Sequence, residues 1–165
     1  MTSQTTEYSC KRVTICDQPE YGIILDLRKI FLEDYGDNPD DLLADDDQCD
    51  LYLMYSETDA IATARIKKCD AAVYEIESVM VAKPHRGKGV GSILLQYLLR
   101  QIAGMPSSAG SGNVTVFFDS LTHAVEFYRK CGFEAEGSLF FLAGVEHQKM
   151  VLRDPKRLLK VKPLA

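Results

Sequence analysis

The sequence predicts a single α/β domain, and three observations lead to that fold class. Apolar segments with strand periodicity alternate with segments of helical periodicity along the chain. The chain has 165 residues, of which 46% are hydrophobic, so it is long enough to bury a substantial core. A glycine-rich turn joins an apolar strand directly to a long amphipathic helix, as in many domains that mix the two kinds of element.

The first part of the chain predicts one strand and one helix after a polar tail. Residues 1–9 are polar and are expected to be loose. Apolar and polar residues alternate from Lys11 to Asp17, which predicts a strand. Asp17 is expected to cap the following helix, and Pro19 suits its first turn. Apolar residues then recur at helical spacing up to about Asp34, namely Ile23, Ile24, Leu27, Ile30 and Phe31.

An acidic, turn-rich segment from Tyr35 to Asp47 separates this helix from the next strands. Residues 51–55 and 60–67 predict an antiparallel pair around the turn at Glu57 to Asp59. Val73 to Val81 predicts the strand that leads into the glycine-rich turn. The helix after that turn has a stripe that is expected to be buried, made of Val90, Ile93, Leu94, Tyr97, Leu98 and Ile102.

The last part of the chain predicts a loop, a strand, a helix and a closing hairpin. Gly104 to Gly112 is rich in Gly and Ser and is expected to be a flexible loop. Val114 to Phe118 predicts a short buried strand, and Ala124 to Cys131 predicts a helix that ends at Gly132. The strands of the hairpin are expected at 133–142 and 147–152.

Composition and charge narrow the class of protein. The net charge of −5 argues against a general nucleic-acid surface. The five cysteines are odd in number and form no C-x-x-C pair, so we expect reduced thiols in the cytoplasm rather than disulfides or a metal site. No apolar run approaches the roughly 18 residues of a membrane span, and the N-terminus is too polar for a signal peptide. We therefore expect no membrane partner.

The most informative segment is the glycine-rich turn between Val79 and Ser92. A helix start carries backbone N–H groups without partners and a partial positive charge, and glycines let a ligand approach them. The spacing does not fit a P-loop, and Ser92 breaks the dinucleotide fingerprint. The turn therefore predicts an anion site that suits a pyrophosphate. The alternative is a turn without a ligand.

Two motifs together resemble those of the GNAT superfamily of N-acyltransferases. Arg86, Gly89 and Gly91 fit the pattern R/Q-x-x-G-x-G/A, which is the acyl-CoA signature of that family. About forty residues later, the segment from Ala124 to Phe133 is similar to the family's A-x-x-F-Y-x-x-x-G-F helix. The resemblance extends from about Val13 to Leu152. Shorter features resemble the ElaA-like branch, namely residues 28–33, 45–50 and 144–150.

The resemblance implies a GNAT-type α/β domain with a mixed, mostly antiparallel sheet of six to seven strands flanked by helices. The domain is expected at 10–153, between a loose tail at 1–9 and a basic tail at 154–165. Acetyl-CoA is the implied cosubstrate, with no metal. Its pantetheine arm would lie along Val79, Met80 and Val81. Its pyrophosphate would be held at the turn by Arg86, Gly87, Lys88, Gly89, Val90, Gly91 and Ser92.

The resemblance also implies two catalytic residues. Glu77 matches the position of a family carboxylate that accepts the amine proton, and Glu75 is its alternative because strand alternation places both on one face; a water wire is a third route. Tyr128 matches the family tyrosine that meets the coenzyme sulfur. The alternatives are solvent-facing carboxylates and a core aromatic residue. Leu121 stands where many members have Asn, so Asp119, Ser120 or His123 would have to replace that contact.

The implied function is transfer of an acetyl group from acetyl-CoA to a primary amine by direct attack in a ternary complex. The alternative is a weak or inactive acyl-CoA-binding module that acts as a sensor or partner subunit. The acidic segment from Glu33 to Asp50 favours a small cationic amine or a basic peptide as acceptor, or it is only a solvated surface. We also consider a homodimer.

Overall fold

The observed elements alternate as the sequence predicts. The computed structural model describes residues 7–35, 45–105, 113–142 and 144–155. The described strands are β1 (Tyr8–Val13), β2 (Cys49–Ser56), β3 (Asp59–Asp70), β4 (Val73–Val81), β5 (Thr115–Leu121), β6 (Glu134–Leu142) and β7 (Val145–Arg153). The described α-helices are α1 (Glu20–Tyr35), α2 (Val90–Gly104) and α3 (Val125–Lys130). Short 3-10 helices cover Asp46–Gln48, Lys83–His85 and Thr122–Ala124.

The strands form one mixed sheet in the order β1-β2-β3-β4-β5-β7-β6. Antiparallel pairing joins β1 to β2, β5 to β7 and β6 to β7, whereas β4 and β5 run parallel. A connection through a helix suits the parallel pair, because parallel strands cannot be joined by a tight turn. The predicted fold class, α/β with a mixed and mostly antiparallel sheet, is confirmed.

The chain divides into two compact units. The first contains Met1–Arg65 and Ser78–Leu94. Its apolar core is built where α1 packs on β1 and β2, around the fully buried residues Val13, Ile24, Leu51 and Leu53. Leu27 of α1 and Tyr55 of β2 pack against that cluster. Burial of this one face of the helix is the main source of its stability.

The second unit contains Ile66–Glu77 and Leu95–Ala165. Its core has an aromatic centre in which Tyr128 of α3 and Phe133 both pack on Phe118 of β5, with ring centroids 3.8 and 4.8 Å away. Gly132 ends α3 as predicted, since it has a φ of 94° and its N–H donates to the Arg129 carbonyl at 3.0 Å.

Several predicted details were wrong. The first strand lies at Tyr8–Val13 rather than 11–17, because Tyr8 and Ser9 pair with β2. It ends there because the Asp17 carboxylate, which we expected to cap α1, accepts from the Thr14 N–H at 2.7 Å and closes a turn. Ile93, which we expected to be buried, is 38% exposed, and Ile30, one of the apolar residues at helical spacing on α1, is 49% exposed.

On α2 the buried stripe includes Leu95 and Leu99 as well as Leu94 and Leu98. Tyr8 and Ser9, expected in a loose tail at 1–9, belong to β1. Outside the described residues lie 1–6 of that tail, 36–44 of the acidic segment, 106–112 of the predicted loop and 156–165 of the predicted basic tail. In the described ranges, no helix combines the length and the apolar character that a membrane span requires.

Candidate functional site

The glycine-rich turn has the conformation that only glycine adopts easily. It follows the 3-10 helix Lys83–His85 and leads into α2 at Val90. Gly87 and Gly89 have φ angles of 71° and 80°, in the left-handed region that disfavours residues with a Cβ. A Cβ added at either position would meet no atom within 4 Å. The two glycines are therefore required by the backbone, and their outer side is open to a ligand.

Helix α2 begins directly after the glycine-rich turn. Its first helical hydrogen bond that involves the turn runs from the Ile93 N–H to the Gly89 carbonyl at 3.1 Å. A helix of 15 residues has N–H groups at its start that no helical carbonyl accepts, and its dipole is positive there. No acidic side chain lies in this first turn. The local charge and the donors therefore suit an anion.

Arg86 contacts the strand end rather than pointing only into solvent. Its Nε donates to the Val81 carbonyl at 2.7 Å, and its guanidinium lies 6.0 Å from the centroid of the Phe31 ring. The sequence predicted Arg86 as a cation that opens the anion site. The structure adds that it ties the turn back to the end of β4 and to α1. Met80 of that strand is buried, whereas Val79 and Val81 are half-buried.

A cavity of about 320 Å³ lies between α1 and the end of β4. Leu27, Ile30 and Phe31 line it from α1. Residues 80–84 and Arg86 line it from the strand end and the turn. We call it the α1–β4 cavity. Its walls are mostly aliphatic and aromatic, and its volume is at the lower end of the range, about 300–1,000 Å³, that ligand pockets occupy.

In the second unit, acidic side chains gather on one face of the sheet. Glu75 pairs in register with Phe117 of β5, and Asp119 follows two residues later on the same face. Burial, and then the charges of Glu77 and Asp119, raise the pKa of Glu75 to about 7, while Lys67 and the hydrogen bond from Cys69 act in the opposite direction. The Cys69 Sγ lies 3.9 Å from the Glu75 Oε2. Glu75, the alternative to Glu77 in the sequence, is thus a carboxylate whose pKa is raised on this face.

Strand β7 supplies the positive charge on this face. Lys149 pairs in register with Asp119, and its Nζ lies 4.4 Å from the centroid of the Phe117 ring. Burial raises the pKa of Asp119, and the charges of Lys149 and His147 oppose that rise. Within the described ranges, no group of three or more His, Cys, Asp or Glu is arranged to hold a metal ion.

Tyr128 lies on the aromatic centre of the second unit. Burial and the neighbouring Cys131 raise the pKa of its phenol above the ordinary value. The group is therefore protonated at neutral pH and can donate a proton, but it cannot serve as a base there.

The described part of the acidic segment from Glu33 to Asp50 is not simply an exposed surface that attracts cations. Asp46 is 4% exposed. Its carboxylate accepts hydrogen bonds from Arg28 Nη1 at 2.6 Å and Arg65 Nη1 at 2.8 Å, both buried, and from the Tyr21 hydroxyl at 3.1 Å. Asp50 pairs with Arg12. The proposal that the whole segment attracts a cationic acceptor is wrong for Asp46, whose charge is compensated inside the protein.

The sequence contained a signal for this buried network that we did not use. Arg28 lies four residues after Ile24 and four before Leu32, and both of those residues are buried on α1. A charged residue within an apolar stripe predicts a buried ion pair, because an unpaired charge is rarely buried. Arg65 similarly interrupts the apolar run of β3 between Ala64 and Ile66.

A family model described as "Acetyltransferase (GNAT) family" matches residues 21–133, more than half of the chain. The chain belongs to the GNAT family. The match covers α1, the glycine-rich turn and α3, so it includes both motifs from which the resemblance was recognised. That recognition is confirmed.

The curated relatives match a shorter stretch of this GNAT chain. It is 37% identical to histone acetyltransferase TAP1 of Glycine max over 76 residues. That stretch covers 46% of this chain and 30% of TAP1. The chain thus matches less than a third of that relative's length.

Solved structures share the fold at low identity. Escherichia coli ElaA superposes with a TM-score of 0.74 and 22% identity, over 88% of this chain and 98% of that one. Spermidine N-acetyltransferase from Vibrio cholerae, solved with CoA and spermine, superposes with a TM-score of 0.68 and 16% identity. The superposition covers 93% of this chain and 98% of that one. At these identities the likeness establishes a common fold.

Proposed function

We propose that this GNAT chain transfers an acetyl group from acetyl-CoA to a primary amine. The observation that carries the proposal is the open, left-handed glycine turn at the start of α2. Its backbone donors are fixed by the fold, so a pyrophosphate can bind without the ordering of flexible side chains. The CoA in the solved spermidine N-acetyltransferase supports the same ligand for this fold.

The coenzyme would bind from the turn towards the middle of β4. Its pyrophosphate would accept from the amides of Gly87 to Ser92, and its pantetheine arm would lie along Val79 to Val81. The left-handed Ser78, with a φ of 53°, interrupts the regular strand just before those residues. Strand β4 is in register with β5 from Val73 to Glu75. Backbone hydrogen bonds with an extended ligand are a common way to bind at a strand.

The reaction requires one proton to leave the amine and one to reach the sulfur. The amine nitrogen attacks the thioester carbonyl carbon, a C–N bond forms, and the C–S bond breaks to release the thiolate. We assign the role of base to Glu75, with Glu77 as the neighbouring charge that raises its proton affinity. We assign the role of acid to Tyr128, whose phenolate would regain a proton from solvent. A base with a pKa near 7 is well matched to this chemistry.

The first experiment measures CoA thiol release from acetyl-CoA with a panel of primary amines, beside calorimetry of CoA binding. Gly89→Ala should weaken CoA binding by about tenfold or more, because its Cβ would stand at the phosphate position and each lost hydrogen bond to a charged group costs about 1.5–3 kcal/mol.

Gly137→Ala is the matched control, since Gly137 also has a positive φ of 74° and open space around it. Both variants should lose about 1–2 kcal/mol of folding stability from backbone strain. Equal CoA affinity in the two variants would remove the turn as the coenzyme site. Binding without thiol release on any amine would contradict the transferase.

A further inference from the structure

Strand β6 ends in an apolar segment at one end of the sheet. It is the last strand in the sheet order and pairs with β7, so no strand of the described ranges lies along its outer side. Residues 139–142 are Leu, Phe, Phe and Leu, and we call this segment the apolar edge. Leu139, Phe141 and Leu142 are 52%, 68% and 45% exposed. The described part of the chain has six exposed large hydrophobic residues, and half of them lie here, which is typical of a surface that binds a partner.

The strand at the other end of the sheet has a different edge. Lys11 and Arg12 lie on β1, and each forms an ion pair. Charged side chains on an end strand hinder a second strand from pairing with its free backbone groups. On β6 the charged residues, Glu134 and Glu136, lie at the start of the strand, and the apolar edge has none. Charge therefore protects β1, whereas the apolar edge of β6 is open to pairing.

A buried polar side chain fixes the shape of β6 just before the apolar edge. The pairing of β6 with β7 shifts between Glu136 and Phe140, so the strand has a bulge there. Gln148 of β7 is 8% exposed, and its Nε2 donates to the carbonyls of Glu136 at 3.0 Å and Gly137 at 3.3 Å. Regular pairing with β7 resumes at residues 140–142. The apolar edge is therefore a defined piece of strand.

We infer that the apolar edge pairs with the same edge of a second copy of the chain, antiparallel and centred on Phe141. A twofold axis at Phe141 places this residue opposite the same residue of the second copy, and places Phe140 opposite Leu142. Aromatic and apolar pairs directly opposite each other stabilise antiparallel strands. An interface of this kind closes on itself, so assembly stops at a dimer. The inference names the interface of the homodimer considered from the sequence, and it does not depend on the proposed function.

The charges of β6 favour this arrangement. In a parallel pair in register, Glu134 and Glu136 would each face the same residue of the second copy, and like charges directly opposite are destabilising. In the antiparallel pair centred on Phe141, both glutamates lie outside the overlapping residues 140–142. Charge and proline are common means by which an edge avoids pairing with itself, and residues 137–142 contain neither. A second copy, which offers the same edge, is therefore the partner that this segment fits.

Sedimentation equilibrium of the full chain over a range of concentrations tests the interface. The wild type should associate to a dimer. Phe141→Lys places two like charges opposite each other at the twofold axis, so it should weaken association by at least about tenfold. Ile15→Lys is the matched control, because Ile15 is also a large hydrophobic residue, 41% exposed, and lies outside β6. It should leave association unchanged. Circular dichroism of both variants should match that of the wild type.

A disulfide tests the register. Residues directly opposite in antiparallel strands have Cα atoms about 4.5–5.5 Å apart, which is within the range that a disulfide spans. Phe141→Cys should therefore join two chains when it is treated with oxidised glutathione. Glu134→Cys, at an exposed position at the start of the same strand, is the control. It should form no more dimer than the wild type, whose exposed Cys16 and Cys69 set the background.

Three results would overturn the inference. One is a wild type that stays monomeric at every concentration, with no added disulfide in Phe141→Cys. Another is a dimer that Phe141→Lys and Ile15→Lys weaken equally or not at all, since its interface would then lie elsewhere. The third is a monomer in which Phe141→Cys reacts slowly with a thiol reagent, because another part of the chain would then cover the apolar edge.

Discussion

Asp46 and Glu75 are both acidic residues withdrawn from water, but their neighbours differ. Asp46 is 4% exposed and accepts hydrogen bonds from two buried arginines and a tyrosine. Glu75 is half-buried beside Glu77 and Asp119, and its pKa is raised to about 7. The first carboxylate is surrounded by opposite charge and hydrogen-bond donors. The second is made to hold a proton by burial and by like charge.

This difference separates a structural role from a chemical one. A charge that is compensated inside the protein is costly to remove, because its buried partners are then left uncompensated. A carboxylate whose environment disfavours its charge exchanges a proton near neutral pH, which is what a base for an amine requires. The comparison therefore indicates that acidic residues of this chain should be sorted by their neighbours, and on this basis we propose Glu75 rather than Asp46 as the base.

The largest effect is expected from removing the compensated carboxylate. Asp46→Ala leaves the Arg28 and Arg65 guanidiniums buried without it, so the free energy of unfolding should fall by about 3–5 kcal/mol. Asp47→Ala is the control at the neighbouring, exposed position and should change it by less than about 0.5 kcal/mol. Urea unfolding of both variants measures this. Equal stability of the two would mean that the network does not hold α1 to β3.

The next largest effect is expected on turnover, and it should differ between Tyr128 and Tyr21. Tyr128→Phe should lower turnover by about a hundredfold or more, in the range of general acid catalysis, with little change in CoA affinity. Tyr21→Phe removes a hydrogen bond to Asp46, so it should cost about 1 kcal/mol of stability and leave turnover unchanged. If Tyr128→Phe turned over at the wild-type rate, Tyr128 would not be the acid, and water would have to protonate the thiolate.

Much of the fold could be predicted because its signals are local. The strand Val73–Val81 and the helix stop at Gly132 depend on residue types within a few positions. The glycine-rich turn was recognised for the same reason, since its conformation requires glycine wherever the chain passes through it.

The charged networks could not be predicted, because they join residues distant in the sequence. Asp46 looked like one acidic residue among many, and only the fold brings it to Arg28 and Arg65. The choice between Glu75 and Glu77 has the same origin. Alternation placed both on one face, but the extent of burial and the presence of Asp119 depend on β5. The sequence pattern shows residue types and their spacing, whereas the pKa of a side chain depends on its neighbours in the folded structure.

The pH dependence of kcat/KM tests the central claim most directly, with acetyl-CoA and an amine whose own pKa lies well above 7. The base must be ionised to accept the proton, so in the wild type the rate should rise by about tenfold per unit below pH 7 and then level off. Glu75→Gln should remove that break, so that its rate continues to rise with the fraction of neutral amine. Glu77→Gln should keep the break and move it to lower pH, because one charge that raises the pKa of Glu75 is lost. A break near pH 7 that persists in Glu75→Gln, or that disappears only in Glu77→Gln, would contradict the assignment of Glu75 as the base.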